Sequence, residues 1–523
     1  MKVLVSDPLS EEGVEKLKEA CEVEIAVGLS EDQLADKIKD FNALVIRSGT
    51  KVTRKIIENA KSLKIIGRAG VGIDNIDVQA ATEKGIIVVN APEGNMISAA
   101  EHTISMLMSL ARNVPQAHMS LKSKKWERKK FMGVEVTDKI LGVSGLGRIG
   151  TEVATRAQGL EMKIIAYDPY ISEDRAKELG IELASVQEIA KKADFITVHT
   201  PLTKETKNII DSHEFSLMKK SVRVINCARG GIINEDALVE ALKEQKIAGA
   251  ALDVFVEEPP FDSPLMDFEN VITTPHLGAS TEEAQVNVAV SIAEEVISVL
   301  NGGFAKNTIN IPSIKPEMMA FLQPYVNLAE TMGSMLGQLI SGKHQVIEVS
   351  YNGDIAEKDT RPVTTAALKG LLETVLGSGV NYVNAHNVAN SRKIKIIESK
   401  SENKDEFTST ISIRLTKDGE SKTVTGSVIG NNPKIIQIDN YRVDLVPQGY
   451  MIVSNHINKP NVIGPCCLIL GRNNINISGM QVGRVEIGGI TIMALNVDSE
   501  VPETILEEIR NIEGLLDAKL VKL

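Results

Sequence analysis

Three short segments set chemically useful side chains directly after apolar runs. Asn226-Cys227-Ala228-Arg229-Gly230-Gly231 follows Val222-Arg223-Val224-Ile225, Asp253 to Glu258 follows Ala250-Ala251-Leu252, and Thr274-Pro275-His276 follows Val271-Ile272-Thr273. A guanidinium grips a carboxylate in a two-pronged way, which suits Arg229 to an acid substrate. Imidazole changes charge near neutral pH, so His276 can take a proton from a hydroxyl. A carboxylate beside imidazole favours imidazolium, so Glu258 would help His276 keep that proton. Each alone has a plainer reading: a loop histidine after proline, an arginine capping a turn, a solvated acid before Pro259-Pro260. As a set they suit oxidation of a hydroxyl next to a carboxylate, provided that a hydride acceptor lies nearby.

The acceptor site is legible at residues 140–168. An apolar run, Ile140-Leu141-Gly142-Val143-Ser144, leads into Gly145-Leu146-Gly147-Arg148-Ile149-Gly150, a helical pattern carries Val153, Ala157 and Leu160, and a second run, Lys163 to Tyr167, ends on Asp168. Strand, glycine turn, helix, strand and terminal acid are the parts that hold a dinucleotide. Gly145 permits the tight turn, Gly147 lets the backbone approach the pyrophosphate, and Gly150 lets the helix pack on the strand. The helix N-terminus offers unpaired N–H groups to the phosphates. A lone glycine motif is weak evidence among 39 glycines, but here Asp168 follows Gly150 by 18 residues and closes a strand. Asp168 can bind ribose hydroxyls and would repel a 2′-phosphate, which favours NAD over NADP.

These parts must be carried by a large α/β frame. The chain has 523 residues, enough for three or four domains, and its 43% apolar and 24% charged content is that of a globular protein. A net charge of −11 disfavours broad attraction to nucleic acid or membranes. No apolar run is long enough to span a membrane, and the N-terminal Met1-Lys2-Val3-Leu4-Val5 reads as a strand rather than a signal peptide. Cys21, Cys227, Cys466 and Cys467 lack metal-ligand spacing, so no metal is expected. They read as reduced thiols of a cytoplasmic protein, with Cys466-Cys467 a buried helical pair.

Short apolar strands alternate with amphipathic segments through the first 95 residues and again after the glycine motif, the pattern of two doubly wound α/β lobes. Residues 98–121 read as one long helical stretch. A helix from Thr281 to Leu300 would return the chain to the first lobe. The expected division is 1–97 with 284–313 for a discontinuous substrate lobe, 98–283 for the cofactor lobe, 317–447 for an α+β unit, and 450–523 for a last unit. In the third unit an apolar helix (Leu328, Met332, Met335, Leu339) precedes Ile-, Val- and Thr-rich strands, and 399–406 reads as a charged exposed turn. The last unit reads strand-helix-strand-strand-helix-strand, a ferredoxin-like βαββαβ order.

Gly67-Arg68-Ala69-Gly70-Val71-Gly72-Ile73-Asp74-Asn75-Ile76-Asp77, Gly94-Asn95 with Ser98-Ala99-Ala100-Glu101, Trp126 to Gly133 and the segments above resemble the D-2-hydroxyacid dehydrogenase family, in its long, phosphoglycerate-oxidising form, along essentially the whole chain. The resemblance implies NAD-dependent oxidation of 3-phosphoglycerate to 3-phosphohydroxypyruvate, the first committed step of serine synthesis, in a homotetramer. It carries the catalytic roles to Arg229, Glu258 and His276. It carries pyrophosphate contacts to Arg148 and Ile149, the ribose ligand to Asp168, and the adenine and nicotinamide lining to Thr200, Cys227, Ala228 and Asp253. Val71 and Asn95 would line the cleft from the first lobe, where Arg47 or Arg68 could bind the substrate phosphate or carboxylate. Arg128 and Lys129 could add charge from a neighbouring subunit, or form a solvated helix end.

The last unit resembles an ACT domain at Ile475-Asn476-Ile477, Met480 to Arg484 and Gly488-Gly489, and the unit before it resembles the intervening domain of this family at Val380-Asn381-Tyr382-Val383-Asn384-Ala385. The pairing implies feedback by L-serine at an interface between ACT domains, with Asn458 and Asn476 as candidate contacts, or a purely structural dimerisation module. Asn458-Lys459-Pro460-Asn461 departs from the usual Asp-x-Pro-Gly loop, which removes a carboxylate and a conformationally free glycine. His386 stands where relatives often have proline. Two alternatives remain: a dehydrogenase of another D-2-hydroxy acid, such as glycerate or 2-hydroxyglutarate, and an NAD-sensing binding protein of the same fold.

Overall fold

In the computed structural model, which describes residues 1–523 apart from 304, 313–315, 341, 343, 378 and 404–405, the apolar runs form four sheets. Five parallel strands, β1 to β5 (Lys2–Val5, Glu22–Ile25, Ala43–Ile46, Ile65–Arg68, Ile87–Asn90), build the first sheet in the order β2-β1-β3-β4-β5. β3 is buried at all four positions, as expected for a central strand covered on both faces. The Glu282–Leu300 helix packs on this sheet, and its Ile292 and Val296 lie against β4. Sequence-distant chain therefore completes the first lobe.

Seven parallel strands, β6 to β12 (Ile140–Ser144, Lys163–Tyr167, Glu182–Leu183, Phe195–Val198, Arg223–Asn226, Gly249–Leu252, Val271–Thr273), form the second sheet in the order β12-β11-β10-β9-β6-β7-β8. Strand order reverses between β9 and β6, the place where open α/β sheets open a crevice for ligands. The stretch expected as one helix over 98–121 is two. Met96–Arg112 ends at Asn113, a left-handed residue (φ 52°), and Val114–Lys122 restarts with proline in its first turn. Left-handed asparagine stops a helix, and proline tolerates only a helix start.

The third sheet holds β13 to β18 (Val346–Gly353, Lys395–Ser401, Ser409–Lys417, Glu420–Ile429, Asn432–Ile438, Tyr441–Leu445) in the order β14-β13-β15-β16-β17-β18, with only β13 and β14 parallel. Two helices that the strand-rich reading omitted, Arg361–Leu376 and Ala385–Ser391, supply the crossover that this parallel pair requires. β14 runs to Ser401, so Ser399–Ser401 belong to a strand rather than to the expected turn. Positions 404–405 of that turn, and 313 at the expected end of the first lobe, lie outside the described residues.

β19 to β22 (Tyr450–Ile457, Ile477–Arg484, Ile490–Val497, Leu515–Lys522) form the last sheet, order β20-β21-β19-β22, with helices Ile463–Arg472 and Glu503–Arg510 on one face, the expected βαββαβ order. Its other face, through Met451, Val453, Ile492, Ala494 and Val521, joins the core of the third unit. Only Cys466 of the vicinal cysteines is buried; Cys467 is half-exposed, because adjacent helical positions point about 100° apart.

Candidate active site

β10, β11 and β12 are neighbours, so the segments after them emerge at one edge of the second sheet. The turn carrying His276 is left-handed at that residue (φ 55°). Its His276 N–H donates to the Asp253 carbonyl (3.0 Å). The Asp253 carboxylate accepts from the Thr274 hydroxyl (2.6 Å) and from the N–H groups of Leu277 (2.7 Å) and Gly278 (2.9 Å). Burial opposes charge on Asp253, yet bonds from His102, Thr274 and Leu277 hold it below the usual carboxylate range. In this conformation Asp253 is fully buried, so its carboxylate braces the turn.

Glu258 follows on the same loop. Its Oε1 accepts from Phe255 N–H (3.2 Å), and its Oε2 lies 2.9 Å from His276 Nδ1. Both side chains remain partly exposed, as groups facing a substrate must be. Arg229, after β10, donates to the Ala228 carbonyl (2.7 Å), and Asn226 holds the Arg229 carbonyl (2.8 Å). The Arg229 Nε lies 3.6 Å from Asp74 Oδ2, a residue of the opposite lobe.

From that lobe Arg68 ends β4, and its Nε donates to Asn75 (3.3 Å). Burial first, then the nearby Arg229 and more weakly Arg47, lowers the Arg68 pKa against the opposing pull of Asp74 and Asp7, so three guanidiniums and two carboxylates share the region. Arg47 is fixed through its backbone N–H to Asp7 (2.6 Å). The Val71 carbonyl accepts from Asn90 (2.6 Å). Asn95 caps the Met96–Arg112 helix without a side-chain capping bond, and its buried Oδ1 has no partner. A buried acceptor without a donor is costly and suits a ligand donor.

The glycine turn fits a dinucleotide. Gly145 takes φ 99°, open to glycine, and a Cβ on Gly150 would stand 2.0 Å from the Gly145 carbonyl. The space over Gly147 is clear, and the Arg148–Gly159 helix starts there without a side-chain cap, leaving its first N–H groups for phosphate. Asp168 Oδ2 accepts from Leu146 N–H (2.8 Å) and Oδ1 from Tyr170 N–H (2.8 Å), which fixes the carboxylate beside the turn with lone pairs to spare. Thr200, beside Gly145, has a buried hydroxyl with no partner. Arg148 is half-exposed and pairs with Glu93 (3.4 Å) across the lobes, while Ile149 packs into the lobe's core. Cys227 is buried, its thiol pushed up to about 12 by burial, so it contributes backbone and packing; Ala228 beside it is half-buried.

Asn458 and Asn476 do not meet within one chain. Tyr450 pairs with Val497 and Ile457 with Ile490, so Asn458 lies past one end of β21 and Asn476 near the other, roughly 25 Å apart at strand rise. Asn458 N–H donates to the Gly489 carbonyl (2.9 Å), and the Asn476 side chain donates to Asp498 (2.6 Å). Asn461 takes φ 63°, so asparagine keeps the left-handed geometry that glycine would supply. Two histidines missed in the sequence stand out. His456 is buried two residues before Asn458, opposite Thr491, and both His456 Nδ1 and Thr491 Oγ1 lack partners. His102 Nε2 lies 3.2 Å from Asp253 Oδ1. A histidine inside an apolar strand was the available signal for His456. Among the described residues no group of three His, Cys, Asp or Glu could hold a metal, and no helix is long and apolar enough to cross a membrane.

Known proteins share this chain's domains. Residues 104–278 match the NAD binding domain of D-isomer specific 2-hydroxyacid dehydrogenases, 321–439 the D-3-phosphoglycerate dehydrogenase intervening domain, and 469–514 the ACT domain. The D-3-phosphoglycerate dehydrogenase of Methanocaldococcus jannaschii is 48% identical over 100% of both chains, and that of Bacillus subtilis 44% identical over 100% of this chain and 99% of its own. Among solved structures, the TT0316 protein of Thermus thermophilus is 31% identical and aligns with TM-score 0.55, covering 59% of this chain and all of that one. The D-lactate dehydrogenase of Aquifex aeolicus, complexed with NAD and lactic acid, is 29% identical, with TM-score 0.53 over 60% of this chain and all of its own. The chain is NAD-binding and belongs to the D-3-phosphoglycerate dehydrogenase family of D-isomer specific 2-hydroxyacid dehydrogenases.

Proposed function

We propose that this chain oxidises 3-phosphoglycerate to 3-phosphohydroxypyruvate with NAD, the entry to serine biosynthesis. The observation that carries the mechanism is the 2.9 Å approach of His276 Nδ1 to Glu258 Oε2, on loops adjacent to the one bearing Arg229. With Nδ1–H donated to Glu258, the neutral ring leaves Nε2 as the base. Bound NAD supplies the hydride acceptor, held by Gly145, Gly147, Gly150, Arg148, Ile149, Asp168, Thr200, Cys227 and Ala228. His276 Nε2 takes the C2 hydroxyl proton as the C2 hydride leaves and the carbonyl forms. Arg229 holds the carboxylate and the developing carbonyl oxygen. Arg68 and Arg47 receive the phosphate from the opposite lobe, with Asn95 Oδ1 available to a substrate hydroxyl. Closure of the cleft would exclude water from the transfer.

The four sheets support a division into 1–97 with 284–313, 98–283, 317–447 and 450–523. The same reading takes the protein as a cytoplasmic homotetramer, for which the exposed Met119, Leu121, Trp126 and Met132 offer contact surface. An ACT domain is a small-molecule module; here we assign it L-serine, bound between two copies by Asn458 and His456 of one and Asn476 of the other. Steady-state NADH formation from 3-phosphoglycerate, D-glycerate, D-lactate and 2-hydroxyglutarate, with and without L-serine, tests the whole reading. The phosphorylated acid should lead by about 10²-fold or more in kcat/KM, because the phosphate adds charge-assisted contacts to Arg68 and Arg47 that an unphosphorylated acid cannot make. Equal rates with glycerate would move the assignment to another hydroxy acid, and tight NAD binding without turnover would favour a sensor.

A further inference from the structure

His102 belongs to none of the motifs above, yet it touches the group that shapes the catalytic turn. It lies on the Met96–Arg112 helix, mostly buried, with Nε2 3.2 Å from Asp253 Oδ1 and 3.2 Å from Thr274 Oγ1. Three other donors reach the Asp253 carboxylate: the Thr274 hydroxyl, Leu277 N–H and Gly278 N–H. All three belong to the turn itself, on either side of His276, whereas His102 comes from a different element. One helical turn earlier, Ser98 donates its hydroxyl to the Gly278 carbonyl (2.8 Å). Ser98 and His102 are four residues apart, so they share a helix face directed at residues 274–278.

The turn needs this support. His276 sits at φ 55°, an uncommon conformation for a residue with a Cβ, which neighbouring contacts help to hold. A carboxylate accepts several donors only while ionised, and its complete burial works against ionisation. A donor from outside the turn helps keep the charge in place and ties it to a rigid helix. We propose that His102 is a positioning residue for the oxidation: through the Asp253 carboxylate it holds the His276 turn in the geometry that presents the imidazole to substrate. The inference rests on His276 as the base.

The experiment compares full-length His102→Phe and His102→Gln with the parent enzyme. Phenylalanine removes the donor; glutamine can return an N–H near the position of Nε2. His102→Phe should lower kcat by about 10- to 100-fold, the size found for hydrogen-bond partners that orient metal-bound histidines. The KM for 3-phosphoglycerate and the NADH dissociation constant should stay within twofold. Exchange of the amides of residues 276–278 should quicken, and the isotope effect with C2-deuterated substrate should rise as the chemical step slows. Glutamine should restore kcat and slow exchange. Unchanged kcat and exchange in His102→Phe, or equal damage by Phe and Gln, would overturn the proposal. If His102→Phe does not fold, Thr274→Val removes a second donor to the same carboxylate and should give the same split of kcat from KM. His276→Ala, measured beside them, keeps the two readings apart: full turnover there removes His276 as the base, while amide exchange still decides whether His102 holds the turn.

Discussion

Asp74 and Arg229 meet between the two lobes, Oδ2 to Nε at 3.6 Å, so a carboxylate of the first lobe stands beside the guanidinium proposed to hold the substrate carboxylate. The pair is exposed on the Asp74 side, which limits it to about 1 kcal/mol or less. On the proposed binding mode, substrate displaces Asp74 to reach Arg229. Asp74→Asn should therefore lower KM for 3-phosphoglycerate, by up to about fivefold on that energy, with little change in kcat. A raised KM would show that Asp74 holds Arg229 in place instead.

Glu258→Gln keeps a side chain able to accept from Phe255 N–H but removes the charge facing the ring. With the amide oxygen held by Phe255, the amide NH2 faces Nδ1 and donates to it, so the ring proton moves to Nε2 and the base is lost together with the counter-charge; kcat should fall by about 10²- to 10⁴-fold with NAD affinity unchanged. His276→Ala should lose about 10²- to 10⁴-fold in kcat, the range for a removed general base. Stopped-flow NADH formation together with NADH titration checks both, and a Glu258→Gln enzyme at full rate would remove the acid from the mechanism.

Gly150→Ala should damage the cofactor site more than the fold. Its Cβ would fall 2.0 Å from the Gly145 carbonyl, a backbone atom that cannot rotate away. Forcing strain of this kind into a packed site costs about 1–3 kcal/mol. We expect NAD affinity to fall at least tenfold, with a lower melting temperature, by calorimetry on the purified enzyme. Affinity within twofold of the parent would mean that the turn shifts freely.

Strands covered on both faces were the most legible features, because burial demands an unbroken apolar run. Ile140–Ser144 and Lys163–Tyr167 carry the bounds read from the sequence. The two-residue β8, Glu182–Leu183, is too short to leave a pattern. The Arg361–Leu376 helix was hidden because nine of its residues are buried, so no polar face marks its period. At the site, the sequence placed Arg229, Glu258 and His276 after three separate strands, and folding made those strands neighbours. His102 was not legible, since its meaning depends on Asp253, a residue remote in sequence and joined to it only by folding. The separation of Asn458 and Asn476 was likewise a matter of strand register rather than of residue type.

Asn461 offers a test of backbone geometry in the loop before the Ile463–Arg472 helix. At φ 63° it occupies the left-handed region, where asparagine is tolerated and alanine is not. Asn461→Ala should destabilise the chain by about 1–2 kcal/mol, while Asn461→Gly should be close to neutral. Urea unfolding of the two variants decides this, and equal midpoints would mean that the loop does not hold the angle.

Acid stability follows from histidines kept neutral by burial. Burial lowers the pKa of His199 to about 4, and lowers those of His344, His386 and His456. His199 also bonds to the Thr197 hydroxyl (2.9 Å) beneath the glycine turn. In the unfolded chain histidine protonates near pH 6.5, so as pH falls below that value the unfolded state takes up protons that the native state refuses. Stability should therefore be full above about pH 6.5 and decline from there toward pH 4. Carboxylates with lowered pKa, such as Asp253 and Asp194, act in a lower window, adding their loss only once the pH drops below about 4. Replacing His199 with Asn removes one titrating group but keeps a polar side chain beside Thr197. Between pH 7.5 and 5 the melting temperature of His199→Asn should fall less than that of the parent; a parallel fall would show that His199 titrates alike in both states.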